Sequence, residues 1–256
     1  MDKEQMLKLF EEIQEKIKSG EIDNDNMSGF PAESLHTEDL DDFFGRHFPG
    51  GEGRVFHEII SDIVHIDIGI IPPAEGRDYT VLYTSGMSDL SMTMPEGMSE
   101  KDKERLSRAE LMMLLPADWK LDSEAFKDER NYWPVRALKT AARFPHEYET
   151  WFAHGHDLQF TEPCEPFADN TGLCALLFAY PDEEELKGFT ASDGMYINIY
   201  TVIPIYEEEL MYKLNEEDGE KPYLFELIFG EGDAPVDKRV ININRKNVCK
   251  DYRKDR

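Results

Sequence analysis

Cysteine, basic residues and long apolar runs are all scarce in this chain of 256 residues. Its three cysteines, Cys164, Cys174 and Cys249, are too few and too scattered for a disulfide framework or a zinc knuckle, so we expect reduced thiols in a cytoplasmic protein. No apolar run approaches the roughly 20 residues that span a bilayer, and the N-terminus is typical of a charged helix rather than a signal peptide. The sequence therefore predicts no membrane association.

Lysine and arginine are outnumbered, since 28 basic residues face 54 acidic ones and leave a formal net charge of −26. Proteins that bind nucleic acid neutralise phosphates with basic side chains, so this charge argues against a nucleic-acid partner. The same charge would attract a basic protein and speed its association, although solubility alone is an alternative explanation. Basic residues concentrate in residues 238–256, which we expect to fold back on the acidic body.

Motifs for nucleotide binding and for nucleophilic catalysis are also missing. The chain has no P-loop, and no Gly-x-Gly-x-x-Gly follows a predicted strand. The turn Thr84–Ser88 lacks the Gly-x-Ser-x-Gly elbow and an obvious base, and Gly86 within it is typical of a tight turn at a strand end. The sequence therefore predicts no cofactor and no serine catalysis.

Apolar periodicity divides the chain into helices and strands. Strands and helices neither alternate strictly nor segregate fully, which predicts an α+β fold with a mixed β-sheet flanked by helices. The predicted domain organisation is an N-terminal amphipathic helix and linker (1–27), one domain (28–237) and a basic tail (238–256). The predicted strands are 54–60, 63–71, 79–84, 111–115, 173–180 and 195–204, and the predicted helices are 2–19, one from Thr37, 134–148, 206–214 and 222–229.

The first long strand alternates Ile66, Ile68 and Ile70 against polar or small residues, which predicts one face in a core. Its sequence, Ile-Val-His-Ile-Asp-Ile-Gly-Ile-Ile-Pro-Pro, is the first of several blocks that share an order and spacing with a known family. The later blocks are Arg108–Pro116, Tyr132–Lys139, Trp151–Asp157 and Asp193–Pro204. On these blocks the chain resembles the suppressor of fused family, in its bacterial branch, over roughly residues 35–230.

The resemblance implies a single α+β domain that binds other proteins and performs no enzymatic chemistry. Eukaryotic members of the family hold a transcription factor. Bacterial members are similar to antitoxin or immunity proteins that neutralise a toxin. By the same resemblance, an extended peptide could add a strand to an exposed edge of the sheet.

The turn Trp151–Asp157 is the candidate site, because two imidazoles two residues apart in an extended chain share a face. With a second His and Asp pair they could hold zinc, which supports the alternative hypothesis of a metal-dependent hydrolase. The simpler interpretation is a turn in which Gly155 supplies a positive φ, and we expect no bound metal. The four ligands that the alternative requires are His65, Asp67, His154 and His156.

Trp151 is the expected anchor for a protein partner, because large aromatic residues dominate interface energetics. The acidic run Glu207–Glu209 would supply rim electrostatics for a basic partner. The sequence thus predicts a cytoplasmic, non-enzymatic immunity or antitoxin protein that binds a basic toxin stoichiometrically; a scaffold that sequesters a regulatory protein is a further alternative. The predicted partner-binding residues are Trp151, His154, His156, Asp157, Glu207, Glu208 and Glu209.

Overall fold

The computed structural model describes residues 34–51, 53–57, 64–215, 223–232 and 234–252. The predicted helix 2–19 and its linker lie outside them. The strands are β1 (Arg54–Phe56), β2 (Asp67–Ile71), β3 (Tyr79–Ser85), β4 (Ala109–Pro116), β5 (Asp157–Gln159), β6 (Ala175–Ala179), β7 (Gly188–Thr190) and β8 (Tyr196–Ile205). The helices are α1 (Thr37–His47), α2 (Glu100–Leu106), α3 (Glu129–Glu147), α4 (Glu207–Lys213) and α5 (Leu224–Phe229).

The strands form one sheet in the spatial order β1-β2-β3-β4-β8-β6-β5, and β7 pairs with β8. Among the described strands, β4 and β8 run parallel and every other pair is antiparallel. This mixed sheet with flanking helices confirms the predicted α+β class. Within the described ranges, no helix has both the length and the apolar composition needed to cross a membrane.

Helices cover the sheet on both faces. One face packs under α3, whose residues Val135, Leu138 and Ala142 are fully buried and form an apolar stripe along the helix. The opposite face packs under α1 at the β2–β4 side, through Leu40 and Phe44. At the β6 side the same face is covered by α4 and α5. The result is a layer of strands between two layers of helices.

β2 departs from the prediction of one buried face, because all five of its residues are buried. Ile68 and Ile70 pack beneath α3, whereas Ile71 packs on the α1 side. Gly69 makes the second packing possible, since a Cβ at this position would lie 2.1 Å from the ring of Tyr83. That ring stacks on Phe44 of α1 at 4.1 Å. The side of β2 that looks polar in the sequence therefore packs against the aromatic ring of Tyr83.

α3 begins five residues earlier than expected. The side chain of Asp128 accepts a hydrogen bond from the backbone N–H of Arg130 and caps the helix. Pro134, predicted for the first turn, therefore lies inside the helix, where it leaves one helical hydrogen bond unmade. Trp133 is fully buried and stacks on Phe167 at 5.1 Å, so it belongs to the core.

The sheet opens between β4 and β8, and a C-terminal segment fills the opening. The two strands pair through four residues each and then separate. Past that point the backbone N–H of Ile241 donates to the Leu114 carbonyl at 2.9 Å, and Arg245 donates to the Pro204 carbonyl at 3.1 Å. Val240 packs on the α1 face and Ile241 on the α3 face. We call residues 240–245 the wedge, because they lie in the plane of the sheet.

The basic tail, in its described part, packs on the acidic body. Arg239 is 3 % exposed, donates to the Tyr180 carbonyl at 2.6 Å and pairs with Asp182 at 3.1 Å. Arg245 pairs with Glu209. Because both guanidinium groups are paired with carboxylates of the domain, residues 238–252 are part of its packing.

Two glycine turns give a prediction about stability. Gly86 has φ of +118°, and a Cβ there would lie 1.9 Å from the His65 carbonyl oxygen. Gly155 has φ of +84° and open space around it. Gly155→Ala should therefore lower the free energy of unfolding by about 1–2 kcal/mol through backbone strain alone. Gly86→Ala should cost about 3 kcal/mol or more, since a backbone clash adds to the strain.

Urea unfolding of the two variants beside the wild type measures this difference. The two alanines serve as controls for each other, because both introduce the same methyl group at a positive φ. Equal losses of stability would contradict the contact between Gly86 and the His65 carbonyl.

Candidate functional site

Trp151 and His156 form a pair at the start of the predicted site. The Trp151 ring is half-buried against the core beneath α3. The His156 ring meets it edge to face at 4.7 Å, and the imidazole bonds to the Trp151 backbone carbonyl. Burial lowers the pKa of His156, although the bond to the carbonyl acts in the opposite direction. His156 is therefore neutral near pH 7 and holds Trp151 in place.

His154 turns to a different neighbour, so the two imidazoles do not share a face as predicted. Its Nδ1 accepts a hydrogen bond from the Tyr180 backbone N–H at 3.0 Å, and its ring stacks on the Tyr180 ring at 5.7 Å. Burial, with a smaller effect of Arg239, lowers its pKa. Gly155 between them donates to the Phe178 carbonyl at 2.8 Å. The turn is thus pinned to β6 by its own backbone.

Asp157 connects this turn to α4. It begins β5, the last strand in the described sheet order, and its carboxylate pairs with Lys213 of α4 at 2.9 Å. Both side chains are about four-fifths buried. The structure therefore brings two separately predicted parts of the site, the turn and the acidic helix, to one edge of the sheet.

The acidic run at the start of α4 does not form one solvated face, which corrects the prediction for Glu209. Glu207 is exposed, and Glu208 accepts a hydrogen bond from Asn247 at 2.7 Å. Glu209 is fully buried and accepts hydrogen bonds from the backbone N–H groups of Tyr206 and Val248, each at 3.0 Å. With Arg245 also bound to it, Glu209 anchors the C-terminal segment and is unavailable to a partner.

The four ligands of the hypothetical hydrolase do not come together. His65 and Asp67 lie at β2, while His154 and His156 lie beside β6, four strand positions away in the sheet. At about 4.8 Å per position, the strands beside which the two pairs lie are about 19 Å apart across the sheet. Asp67 instead bridges His65 at 2.9 Å and His57 at 3.0 Å. Across the part of the chain that the structure describes, no group of three His, Cys, Asp or Glu residues is arranged to hold a metal.

The structure reveals a buried carboxylate that sequence analysis missed. Glu110 of β4 is fully buried, and one of its oxygens accepts hydrogen bonds from the N–H of Gly86 at 3.0 Å and from Ser88, through N–H at 2.9 Å and Oγ at 2.7 Å. The other oxygen accepts from Thr84 Oγ1 at 2.5 Å. Its signal in the sequence is a single charge inside the apolar run Ala109–Leu115, since such a charge survives burial only when it is bonded.

Ser88 does have a histidine beside it, contrary to the expectation of no base. His36 Nδ1 lies 3.2 Å from Ser88 Oγ, and its Nε2 lies 3.1 Å from an Asp193 carboxylate oxygen. Ser88 is nevertheless fully buried, and its hydroxyl donates to Glu110. A nucleophile needs a free lone pair in reach of a substrate, so the arrangement is a structural network that fixes the Thr84–Ser88 turn.

Comparison with known proteins identifies the family. A family model described as suppressor of fused protein matches residues 62–246, well over half of the chain. The chain belongs to the suppressor of fused family. The suppressor of fused family is a regulatory, protein-binding family, and it is not known for enzymatic activity. A search of curated proteins found no match.

Solved structures share the fold of this suppressor of fused domain at low sequence identity. A suppressor of fused homologue from Neisseria gonorrhoeae FA 1090 superposes with a TM-score of 0.57 and 12% identity, covering 83% of this chain and 96% of that one. A chain of the Sufu–Fu complex superposes with a TM-score of 0.56 and 14% identity, covering 84% of this chain and 92% of that one. At these identities the similarity shows a common fold.

The buried carboxylate gives a prediction about pH. Burial raises the pKa of Glu110 from an ordinary 4.5 to about 7, because its hydrogen bonds offset only part of the lost hydration. Between these values the folded protein keeps a proton that the unfolded chain releases. The contribution of Glu110 to the free energy of unfolding should therefore be largest below pH 4.5 and fall as pH rises to about 7.

Glu110→Gln removes this titration, so its stability relative to the wild type should rise across the same window. Urea unfolding at a series of pH values measures it. Glu104→Gln removes the same charge from an exposed position on α2 and corrects for the change in net charge. If the difference in the free energy of unfolding between wild type and Glu110→Gln stays constant with pH, Glu110 titrates outside this pH window.

Proposed function

We propose that the chain is an immunity or antitoxin protein that binds a basic toxin one to one in the cytoplasm and covers its active surface. Membership of a protein-binding family supports binding as the class of activity. The Sufu–Fu complex supports it as well, because a protein of this fold is there part of a complex. The net charge of −26 supports a basic partner.

One observation carries the proposal: the turn that holds an aromatic anchor and the helix that begins with acidic residues meet at the edge of the sheet. The ion pair between Asp157 and Lys213 joins the two parts. Trp151 stands on one side of it, half-buried and held by His156. Glu207 stands exposed at the opposite end of α4, six residues before Lys213. We name Trp151, His156, Glu207 and Glu208 the edge surface.

The edge surface is acidic beyond α4. Glu162 and Glu207 both lie near enough to Cys164 to act on the pKa of its thiol, and both are exposed. Asp157 is already paired, so these carboxylates carry the charge that a partner would meet. The histidines of the turn are neutral near pH 7 and add no positive charge against a basic partner.

The edge surface is also held rigid before any partner binds. The Gly155 N–H donates to the Phe178 carbonyl at 2.8 Å, and the Phe178 N–H donates to the His156 carbonyl at 2.9 Å. A surface ordered in advance loses little conformational entropy on association. The mechanism is therefore occlusion by a preformed acidic surface, with Trp151 as the central contact.

The first functional prediction concerns the rate of association. Neutralising the acidic end of α4, with Glu207→Gln and Glu208→Gln together, should slow binding to the cognate toxin by about tenfold at low salt. Raising the salt should shrink the difference, because charges are screened over about 8 Å at physiological ionic strength. Stopped-flow kinetics over a salt series measures both effects.

The matched control is Glu38→Gln with Asp42→Asn, which removes two exposed charges from α1 on a different part of the domain. That variant should keep most of the wild-type association rate. An association rate that is indifferent to salt in all three proteins would mean that the acidity serves solubility. A regulatory protein found in place of the toxin would favour the scaffold.

The second functional prediction concerns release. Trp151→Ala should speed dissociation of the complex at least about tenfold, since a central tryptophan is worth more than about 1.4 kcal/mol. Tyr148→Ala is the matched control, because it removes an aromatic ring that is 67% exposed at the end of α3. Thermal unfolding of both variants shows whether the domain is intact. An unchanged dissociation rate in folded Trp151→Ala would remove Trp151 from the interface.

A further inference from the structure

Two of the three cysteines meet in space. Cys164 and Cys174 flank the end of the loop between β5 and β6, and their sulfur atoms share a hydrogen bond at 2.6 Å. Cys174 is 3% exposed and its backbone N–H donates to the Ile205 carbonyl of β8 at 2.9 Å. Cys164 is half-exposed. A bond between the sulfurs therefore needs no rearrangement of the backbone.

The two thiols are unequal in a way that suits oxidation. The hydrogen bond with Cys174 lowers the pKa of Cys164, and this effect outweighs its partial burial. The same bond and burial raise the pKa of Cys174. Cys164 therefore ionises first, and it is also the more exposed of the two. A thiolate in reach of solvent beside a second thiol is the arrangement that oxidants attack.

We propose that Cys164 and Cys174 are an oxidative modification site, which closes a reversible disulfide within the chain when the protein meets hydrogen peroxide. This differs from the expectation of three permanently reduced thiols. The modification does not depend on the proposed function. It does lie beside the edge surface, because Glu207 and Glu208 of α4 both act on the pKa of Cys174.

The reaction balances in two steps. The Cys164 thiolate attacks one oxygen of hydrogen peroxide and the O–O bond breaks. Hydroxide is the leaving group, and Cys164 becomes a sulfenic acid. The Cys174 sulfur then attacks the Cys164 sulfur, the S–O bond breaks, and the departing hydroxide takes the proton from Cys174 as water. Two thiols lose two electrons in total, and peroxide is reduced to water.

Cys249 provides the matched control. It is 5% exposed in the cluster beneath α4 and α5, and it lies in the same group of apolar residues that Cys164 packs against. A variant with Cys249→Ser should still form the disulfide. Cys164→Ser changes a half-exposed position, so it should leave the fold intact and abolish the disulfide.

The experiment treats the full chain with hydrogen peroxide and maps the products without reduction by mass spectrometry. We expect a loss of two hydrogen atoms from the intact mass, a cross-linked peptide pair containing Cys164 and Cys174, and reversal by dithiothreitol. Cys249→Ser should match the wild type and Cys164→Ser should show no cross-link. The oxidised protein should also melt at a higher temperature, since the closed loop restricts the unfolded chain.

Three outcomes would overturn the proposal. The first is a sulfinic acid on Cys164 without a cross-link, which would mean that Cys174 does not reach it. The second is a disulfide that includes Cys249 or joins two chains. The third is that peroxide leaves both thiols unreacted in the folded protein, although the same treatment oxidises them after the chain is unfolded in urea.

Discussion

The buried carboxylate of Glu110 is the constraint on which the surrounding structure depends. Four hydrogen bonds converge on it from Thr84, Gly86 and Ser88. Removing the Glu110 carboxylate would leave its buried donors unsatisfied, each at a cost of about 1–3 kcal/mol. Through Ser88 the network reaches His36, directly ahead of α1. The same carboxylate therefore sets the end of β3 and the position from which α1 crosses the sheet.

The packing of α1 also bears on the proposed binding surface. With α1 on one face and α3 on the other, the central strands are buried from both sides. The short edge strand β5 remains at the margin of the described sheet. Its neighbours are the turn that holds Trp151 and the helix that begins with Glu207. In the proposed complex, exposed side chains such as Glu207 could vary while the fold is kept, whereas Trp151 also packs on the core.

Sequence patterns predicted much of this fold, because they record burial. The stripe of Leu40, Phe43 and Phe44 predicted α1, and the apolar run 111–115 predicted a strand, which the structure extends to Ala109–Pro116. The pattern of β2 was misleading, since Gly69 looks polar in an alternation and is in fact space for the Tyr83 ring. No period distinguishes a residue that is small because it is exposed from one that is small because a ring lies against it.

The candidate site was predictable in part. Trp151 and the turn around Gly155 could be recognised by residue type. Their closeness to α4 could not be predicted, because it depends on the pairing between Asp157 and Lys213. Glu209 was misassigned for a related reason. Three consecutive glutamates look alike in a sequence, but a helix turns each by about 100°. One of them must face inward, and Arg245 decides which can.

The wedge has a consequence for how the protein is made. A ribosome releases Leu114 long before Ile241, yet these residues bond to each other in the finished sheet. Until the later segment emerges, the space between β4 and β8 is open and the apolar residues on either side of it are exposed to water. This domain can therefore complete its core only after residues 240–245 have been made. Apolar surface exposed in this way is prone to aggregate, and it stays exposed in the nascent chain until the wedge has left the exit tunnel.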